Sequence, residues 1–255
     1  MLQVKTDEYQ ELFMKLSRHH FLTIASTNTW AKEHVEDFEL DEMTLVTADE
    51  QTSGRGRFKR VWCSPAGLNI YATFCFYIGV DRSDIGHVPQ LLAISATEVL
   101  EQLNFIPLVK WPNDILIKGK KVAGILCEIV MHEDKRCVVC GIGLNVNMPL
   151  HQLQKIDRPA TSLLVEGGQE MNVEMVLKSI TTIFGNNLDE FLKSGFDSFF
   201  SDYQEHSYYK KGEEVKFNDN QEIVKGKFHS LNKDGTMTLQ LNEGVLRTFY
   251  AGEFV

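Results

Sequence analysis

Between Glu50 and Asp81 the chain runs thirty residues without an acid, and Arg55, Arg57, Lys59 and Arg60 crowd the first third of that stretch. They lie in TSGRGRFKRVW, where Gly54 and Gly56 punctuate the charge. Neighbouring cations repel, so a solvated loop gains nothing from the arrangement, whereas an anion that comes and goes would complete it. Guanidinium forks match carboxylate and phosphate oxygens, and glycines let main-chain N–H groups approach a ligand. Taken alone, GRGR also fits a charged surface turn or the basic tail of an RNA-binding protein.

Two further places concentrate Gly, Asn and charge among apolar residues. In KWPNDILI, Pro112 keeps Trp111 out of a helix and kinks the chain where Lys110, Asn113 and Asp114 gather. In KVAGILCE and GIGLNVN, small residues interrupt strand patterns at Ala123, Gly124, Gly141 and Gly143. Such gaps mark a ligand lying flat on a sheet or close packing between elements. The five cysteines form no disulfide framework. Cys137 and Cys140 in CVVC read as strand residues three apart, which point to opposite faces; a shared metal or a bridge between them is excluded, and both read as buried structural thiols.

Something must position these residues. Of the 255 residues, 43% are hydrophobic and 24% charged, enough for one large domain with a small appendage. The 35 Asp and Glu against 26 Lys and Arg argue against a general polyanion binder. No apolar run approaches membrane-spanning length, and the start lacks the apolar core of a signal peptide, so the chain reads as cytoplasmic.

Helical spacing appears at Leu12, Phe13 and Leu16 within residues 7–18, and Ser26 or Thr27 suits a cap for a helix from about Asn28. MTLVTA (43–48) and LNIYATFCFYIGV read as strands, the second with Ile70, Ala72, Phe74, Phe76 and Ile78 on one face. Residues 89–103 read as a helix opened by Pro89. IPLVKWPNDILI and KVAGILCEIVM read as strands joined by a tight turn at Gly119, with CVVCGIGLNV as the next strand; helices at 173–193 and 196–206 follow. Strand runs followed by helix runs predict an α+β fold, a mixed β-sheet flanked by helices. From residue 207 four short alternating segments separated by NDN, KDG and NEG predict a small β-barrel. The expected division is 1–206 and 207–255, with the smaller part leaning on the larger.

STN (26–28), ADEQTSGRGRFKRVWCSPAGLNIY (48–71), KWPNDI (110–115), KVAGILCE (121–128) and GIGLNVN (141–147) resemble, in order and spacing, the motifs of biotin protein ligases. YAGEF after the all-β segment resembles that family's SH3-like tail more loosely. The resemblance implies a catalytic fold like that of class II aminoacyl-tRNA synthetases. It implies formation of biotinyl-5′-adenylate from biotin and ATP with Mg²⁺, then transfer of biotin to a lysine of a biotin carboxyl carrier protein or related carboxylase. By matching position, Ser26, Thr27, Asn28 and Gln51 hold the polar ring of biotin, while Gly54, Arg55, Gly56 and Arg57 close over it. Leu126, Gly141 and Gly143 line its slot. Arg57, Arg60, Trp62, Asn113 and Asn145 face the nucleotide, and Asp114 lies near the phosphates or Mg²⁺. Lys121 contacts both substrates, with Arg57 and Arg60 as the other catalytic cations; Lys110 is a motif residue without an assigned role. No residue is expected to bind a metal permanently. Phe58-Lys59 departs from the family's commoner Arg-Gly pair, which puts loop closure in doubt more than chemistry.

The motifs begin by Ser26, which implies the monofunctional type without an N-terminal DNA-binding domain; neither DNA nor a membrane is an expected partner, and a homodimer is open. The alternatives are a lipoate or octanoate ligase of the same superfamily, and a non-catalytic protein that binds biotin or nucleic acid. The lipoate enzymes carry a different glycine-rich motif, absent here.

Overall fold

The structure, a computed structural model, describes residues 15–219 and 221–255. Its larger sheet comprises β1 (Lys15–Ile24), β2 (Glu42–Gln51), β3 (Ile70–Gly79), β4 (Pro107–Lys110), β5 (Asp114–Ile117), β6 (Lys120–His132) and β7 (Lys135–Leu144). Their order is β1-β2-β3-β7-β6-β5-β4, with β1 and β2 parallel and every other neighbour antiparallel. This is the mixed sheet expected of the sequence.

β3 is apolar on both faces because both are covered. Ile70, Ala72, Phe74, Phe76 and Ile78 enter the main core, while Cys75 and Tyr77 enter a smaller cluster beneath α1 (Thr27–Glu33). The same alternation sends Cys140 to the main core and Cys137 to the smaller one. α2 (Val88–Gln102), with Pro89 in its first turn, and α5 (Val173–Ser194) cover the main face. There the Phe184 ring packs 4.9 Å from Phe74. The short helices α3 (Leu150–Leu153), α4 (Leu163–Gly167) and α6 (Phe200–Glu205) complete this part.

Two local expectations are corrected. Residues 15–18 open β1 rather than close a helix, and residues 7–14 lie outside the described residues. Pairing with β2, including Ser17 Oγ and Thr44 Oγ1 at 3.0 Å, outweighs the local helical spacing. Residues 106–117 are not one strand but the β4–β5 hairpin, reversing through the cis Trp111–Pro112 peptide so that Lys110 faces Asp114. Proline has no N–H to continue a ladder. The turn at Gly119 is as expected: Lys118 and Gly119 both take positive φ, 50° and 75°, as a two-residue hairpin loop demands.

The C-terminal segments form a second, antiparallel sheet: β8 (Glu214–Asn218), β9 (Ile223–Leu231), β10 (Met237–Gln240), β11 (Leu246–Phe249) and β12 (Glu253–Phe254), ordered β11-β10-β9-β8-β12. Its apolar residues, among them Phe217, Met237, Leu239 and Phe254, join the core cluster of the larger sheet. Trp111 Nε1 and Gln90 Nε2 both donate to the Gly235 carbonyl at 2.9 Å, which pins the β9–β10 turn against α2. Among the described residues no helix is long and apolar enough to cross a membrane.

Candidate active site

A cleft of about 900 Å³ opens where the start of α1, the 52–62 loop, the β4–β5 hairpin, the glycines of β6 and β7 and the C-terminal strand meet. Ser26 caps α1 and accepts from the Thr29 N–H at 3.4 Å. This brings the next two residues down on the sheet. Gln51 Oε1 accepts from the Thr27 N–H at 2.9 Å, and Gln51 Nε2 donates to Ser64 Oγ at 3.1 Å. Asn28 Nδ2 donates to the Leu126 carbonyl at 3.0 Å, while Asn28 Oδ1 accepts from the Thr73 hydroxyl at 2.7 Å. A Cβ on Gly141 would lie 2.0 Å from Asn28 Oδ1, so a glycine is required there for Asn28 to reach the sheet.

Gly124 and Gly143 face each other across β6 and β7 and form a bare floor. The Trp62 indole covers it; a Cβ on Gly143 would come within 2.4 Å of that ring. Trp62 Nε1 is buried without a hydrogen-bond partner among the described residues. The Lys121 ammonium stands 5.4 Å from the Trp62 ring centre and 2.5 Å from Asp114 Oδ1.

The basic loop is held at both ends. The Thr52 and Ser53 N–H groups donate to Ile24 and Ala25 carbonyls at 2.9 Å, and Gly56 and Trp62 N–H groups close the loop onto Arg60 O at 2.8 Å and Gly54 O at 2.9 Å. Its tip turns through Phe58 and Lys59, with φ of 56° and 59°. All three arginines have partners within the protein. Arg55 Nη1 donates to Thr29 Oγ1 at 3.2 Å, and Arg57 Nη1 to Asn113 Oδ1 and the Gly252 carbonyl, both at 3.3 Å. Arg60 grips both oxygens of Glu253. Lys110 Nζ donates to the Phe254 carbonyl at 3.2 Å.

Charge is locally inverted: among the described residues seven Lys and Arg line the cleft against three Asp and Glu, in a chain of net charge −9. Burial lowers the pKa of Arg57, against the opposing pull of Asp114 and Glu253. Burial likewise lowers Lys110, with Asp114 opposing. The hydrogen bond from Arg60 holds the Glu253 carboxyl below the usual glutamate range.

Every residue that the resemblance assigns to the site lines this cleft except Gly54; Lys59 and Ala123, also singled out from the sequence, do not line it. Gly54 stands behind the loop, where a Cβ would lie 2.5 Å from the Trp62 carbonyl; it permits close strand approach rather than facing the cleft. Asn145 also carries structure, since its Nδ2 donates to the Thr161 carbonyl at 3.0 Å. Sequence reasoning missed Thr73, the 155–160 segment with Lys155 and Arg158, and Tyr208, Tyr209 and Glu253. The segment is anchored to Lys121 itself: the Lys121 N–H donates to Pro159 O at 3.0 Å and the Thr161 N–H to Lys121 O at 2.9 Å. Its two cations were the available signal.

The model of the Biotin/lipoate A/B protein ligase family matches residues 21–145, and that of the Biotin protein ligase C terminal domain matches residues 211–255. The Bifunctional ligase/repressor BirA of Bacillus subtilis is 30% identical over 82% of this chain and 65% of its own length. The Biotin–[acetyl-CoA-carboxylase] ligase of Mycobacterium tuberculosis is 33% identical over 49% of this chain and 46% of its own. The chain thus spans less than two thirds of either relative. The structure of the biotin protein ligase of Aquifex aeolicus in complex with biotin and ATP superposes with a TM-score of 0.76 at 30% identity, covering 93% of this chain and 97% of that one. Fold and site together define a ligase of the biotin/lipoate class. Within that class, the chain belongs to the biotin protein ligases.

Proposed function

We propose that the chain joins the biotin carboxylate to the α-phosphate of ATP, releases pyrophosphate, and passes biotin from the adenylate to a carrier-protein lysine. The observation that carries this reading is the position of Lys121. Its ammonium is held in the cleft, 2.5 Å from Asp114 Oδ1 and 5.4 Å from the Trp62 ring centre. It shares that lining with Ser26, Thr27, Asn28 and Gln51 and with Arg57, Arg60 and Asn113; by the motif match it meets both substrates. A carboxylate and a phosphate repel as they approach. A fixed cation between them offsets that repulsion and gains more as charge builds on phosphorus. Arg57 and Arg60 supply further donors in the same cleft. Leu126 lines the slot for biotin's ring and tail, and Gly141 and Gly143 make room on the sheet for the Asn28 amide and the Trp62 indole beside it. In the second step the lysine amine attacks the carbonyl carbon of the mixed anhydride, and AMP leaves with the bonding pair.

Mg²⁺ fits this site as a nucleotide-borne ion. Among the described residues no three His, Cys, Asp or Glu side chains gather to hold a metal; Asp114, which lines the cleft and which the motif match sets near the phosphates, would meet an ion arriving with them. Bound there, it would neutralise phosphate charge.

The name of the Mycobacterium tuberculosis relative supports a biotin carboxyl carrier protein of acetyl-CoA carboxylase as acceptor. Beyond Gly124, β6 pairs with no strand on the β5 side among the described residues, and Ile129 and Met131 stand exposed on β6; pairing of two copies along this edge would give the homodimer. Five free cysteines fit a reducing cytoplasm as the place of reaction. The test is pyrophosphate release with ATP, Mg²⁺ and either biotin, lipoate or octanoate, followed by labelling of a carrier lysine. Biotin alone should support both. Equal turnover with lipoate or octanoate overturns the assignment.

A further inference from the structure

Two of the five cysteines lie directly opposite each other: Cys127 on β6 and Cys140 on β7 are register partners. Directly opposed residues of antiparallel strands hold their Cα atoms about 4.5 or 5.5 Å apart, depending on the hydrogen-bonding type of the pair. Both spacings lie within the roughly 4.4–6.8 Å that a disulfide spans. The two side chains share the main-core face, Cys140 wholly buried and Cys127 partly covered. Burial and the adjacent Cys127 thiol push the Cys140 thiol well above the usual range. The other cysteines are placed differently. Cys75 faces Val139 and Cys137 faces Tyr77, which makes those two diagonal neighbours, about 7–8 Å apart in such a ladder. Cys63 is exposed and stands at the cleft.

We infer that Cys127 and Cys140 form a reversible thiol–disulfide switch that responds to hydroperoxides and weakens binding in the adjoining slot, which rests on the reading of that slot as the biotin site. The Cys127 sulfur attacks the terminal peroxide oxygen; the O–O bond breaks, giving a sulfenic acid and, with hydrogen peroxide, water. The Cys140 thiol, kept protonated by its burial, then gives its proton to the departing hydroxyl as its sulfur attacks the Cys127 sulfur; the S–S bond forms slowly and water leaves. Two thiols are oxidised by two electrons and one peroxide is reduced.

The coupling to the slot follows from the next rung of the ladder. Leu126 pairs with Gly141, one residue from the cysteines on each strand. Asn28 donates to Leu126 O and lies so close to Gly141 that even a methyl group finds no space between them. A disulfide fixes the spacing and twist of the strands beside that rung, and a shift of tenths of an ångström there is enough to misplace Asn28.

The test treats the whole chain with hydrogen peroxide, then alkylates it under denaturing conditions and maps the peptides. The expected product is a single intramolecular link between Cys127 and Cys140 with two fewer free thiols. Biotin affinity, measured by titration calorimetry, should fall roughly three- to tenfold, the size of one lost hydrogen bond, and dithiothreitol should restore it. Cys127→Ser should bind biotin as the parent does and lose the response to peroxide, while Cys63→Ser should keep it. Free Cys127 and Cys140 after treatment, or oxidation confined to Cys63, overturns the pair. A formed disulfide with unchanged affinity overturns the coupling. Failure of the reduced protein to bind biotin would instead overturn the functional reading and the coupling with it, while the thiol map still decides the disulfide.

Discussion

Lys121 and Lys118 are three residues apart and share a hairpin, yet their surroundings differ. Lys118 reaches Glu166 from a side chain 73% exposed, while Lys121 is 20% exposed and points to Asp114 inside the cleft. Lys121→Ala is expected to cost on the order of 2–4 kcal/mol of transition-state stabilisation, the size of a single charge-stabilising group. The loss should appear in the rate of biotin-dependent pyrophosphate exchange, with a smaller effect on transfer from preformed biotinyl-adenylate. Lys118→Ala should run at the parent rate; equal rates for both variants would return Lys121 to the surface. Lys121 was legible in the sequence because it belongs to a local string whose glycines and charges carry their own meaning. Thr73 was not, because it reads as one more alternating residue of an apolar strand. Only its register opposite Gly141, a non-local fact, puts its hydroxyl under Asn28. Arg158 and Glu253 were lost in the same way, being placed by backbone contacts and pairing from distant parts of the chain.

At the level of the element, the 52–62 loop differs from the ligand-starved loop that its four cations suggest, because Asn113, Glu253 and Thr29 already serve its arginines. Its tip holds Phe58 and Lys59 at positive φ, a conformation that costs an L-residue about 1–2 kcal/mol. Lys59→Gly should relieve part of that cost and raise the hydrogen-exchange protection of the Gly56 and Trp62 amides by a few-fold. Unchanged or lower protection would mean that glycine's backbone entropy dominates. The loop should also respond to acid. Because the Glu253 pKa is depressed in the folded chain, its contribution is complete above the ordinary glutamate range and is lost as pH falls through the lowered value. Protection of the same amides should fall across that window, whereas Glu253→Gln should show the loss already at neutral pH. The main strands and helices were legible from period and punctuation. The β4–β5 reversal was not, since a proline within an apolar run marks a break without telling a kink from a hairpin.

For the whole molecule, the decisive fact is that one apolar cluster runs through both sheets. Phe217 of β8 is fully buried, 5.9 Å from the Trp111 ring, 4.8 Å from Phe249 and 5.2 Å from Phe254. Phe217→Ala should cost about 3–5 kcal/mol, and tryptophan fluorescence and far-ultraviolet dichroism should shift together to one lower midpoint. Separate midpoints would show the C-terminal sheet melting alone. Alternation and turn residues revealed that sheet in the sequence, but its attachment through Gly235 depends on contacts 124 and 145 positions distant. The clasp between the basic loop and β12 joins positions farther apart still: Arg57 to Gly252 across 195 residues and Arg60 to Glu253 across 193. Closing so long a span is entropically costly and slow, and it cannot be rewarded before the intervening structure has condensed. On refolding from denaturant, helix and sheet signals should therefore return in an earlier phase than the capacity to bind biotin and ATP, so the molecule acquires its shape before it acquires its trade. A single rate for both would place the clasp within the folding nucleus.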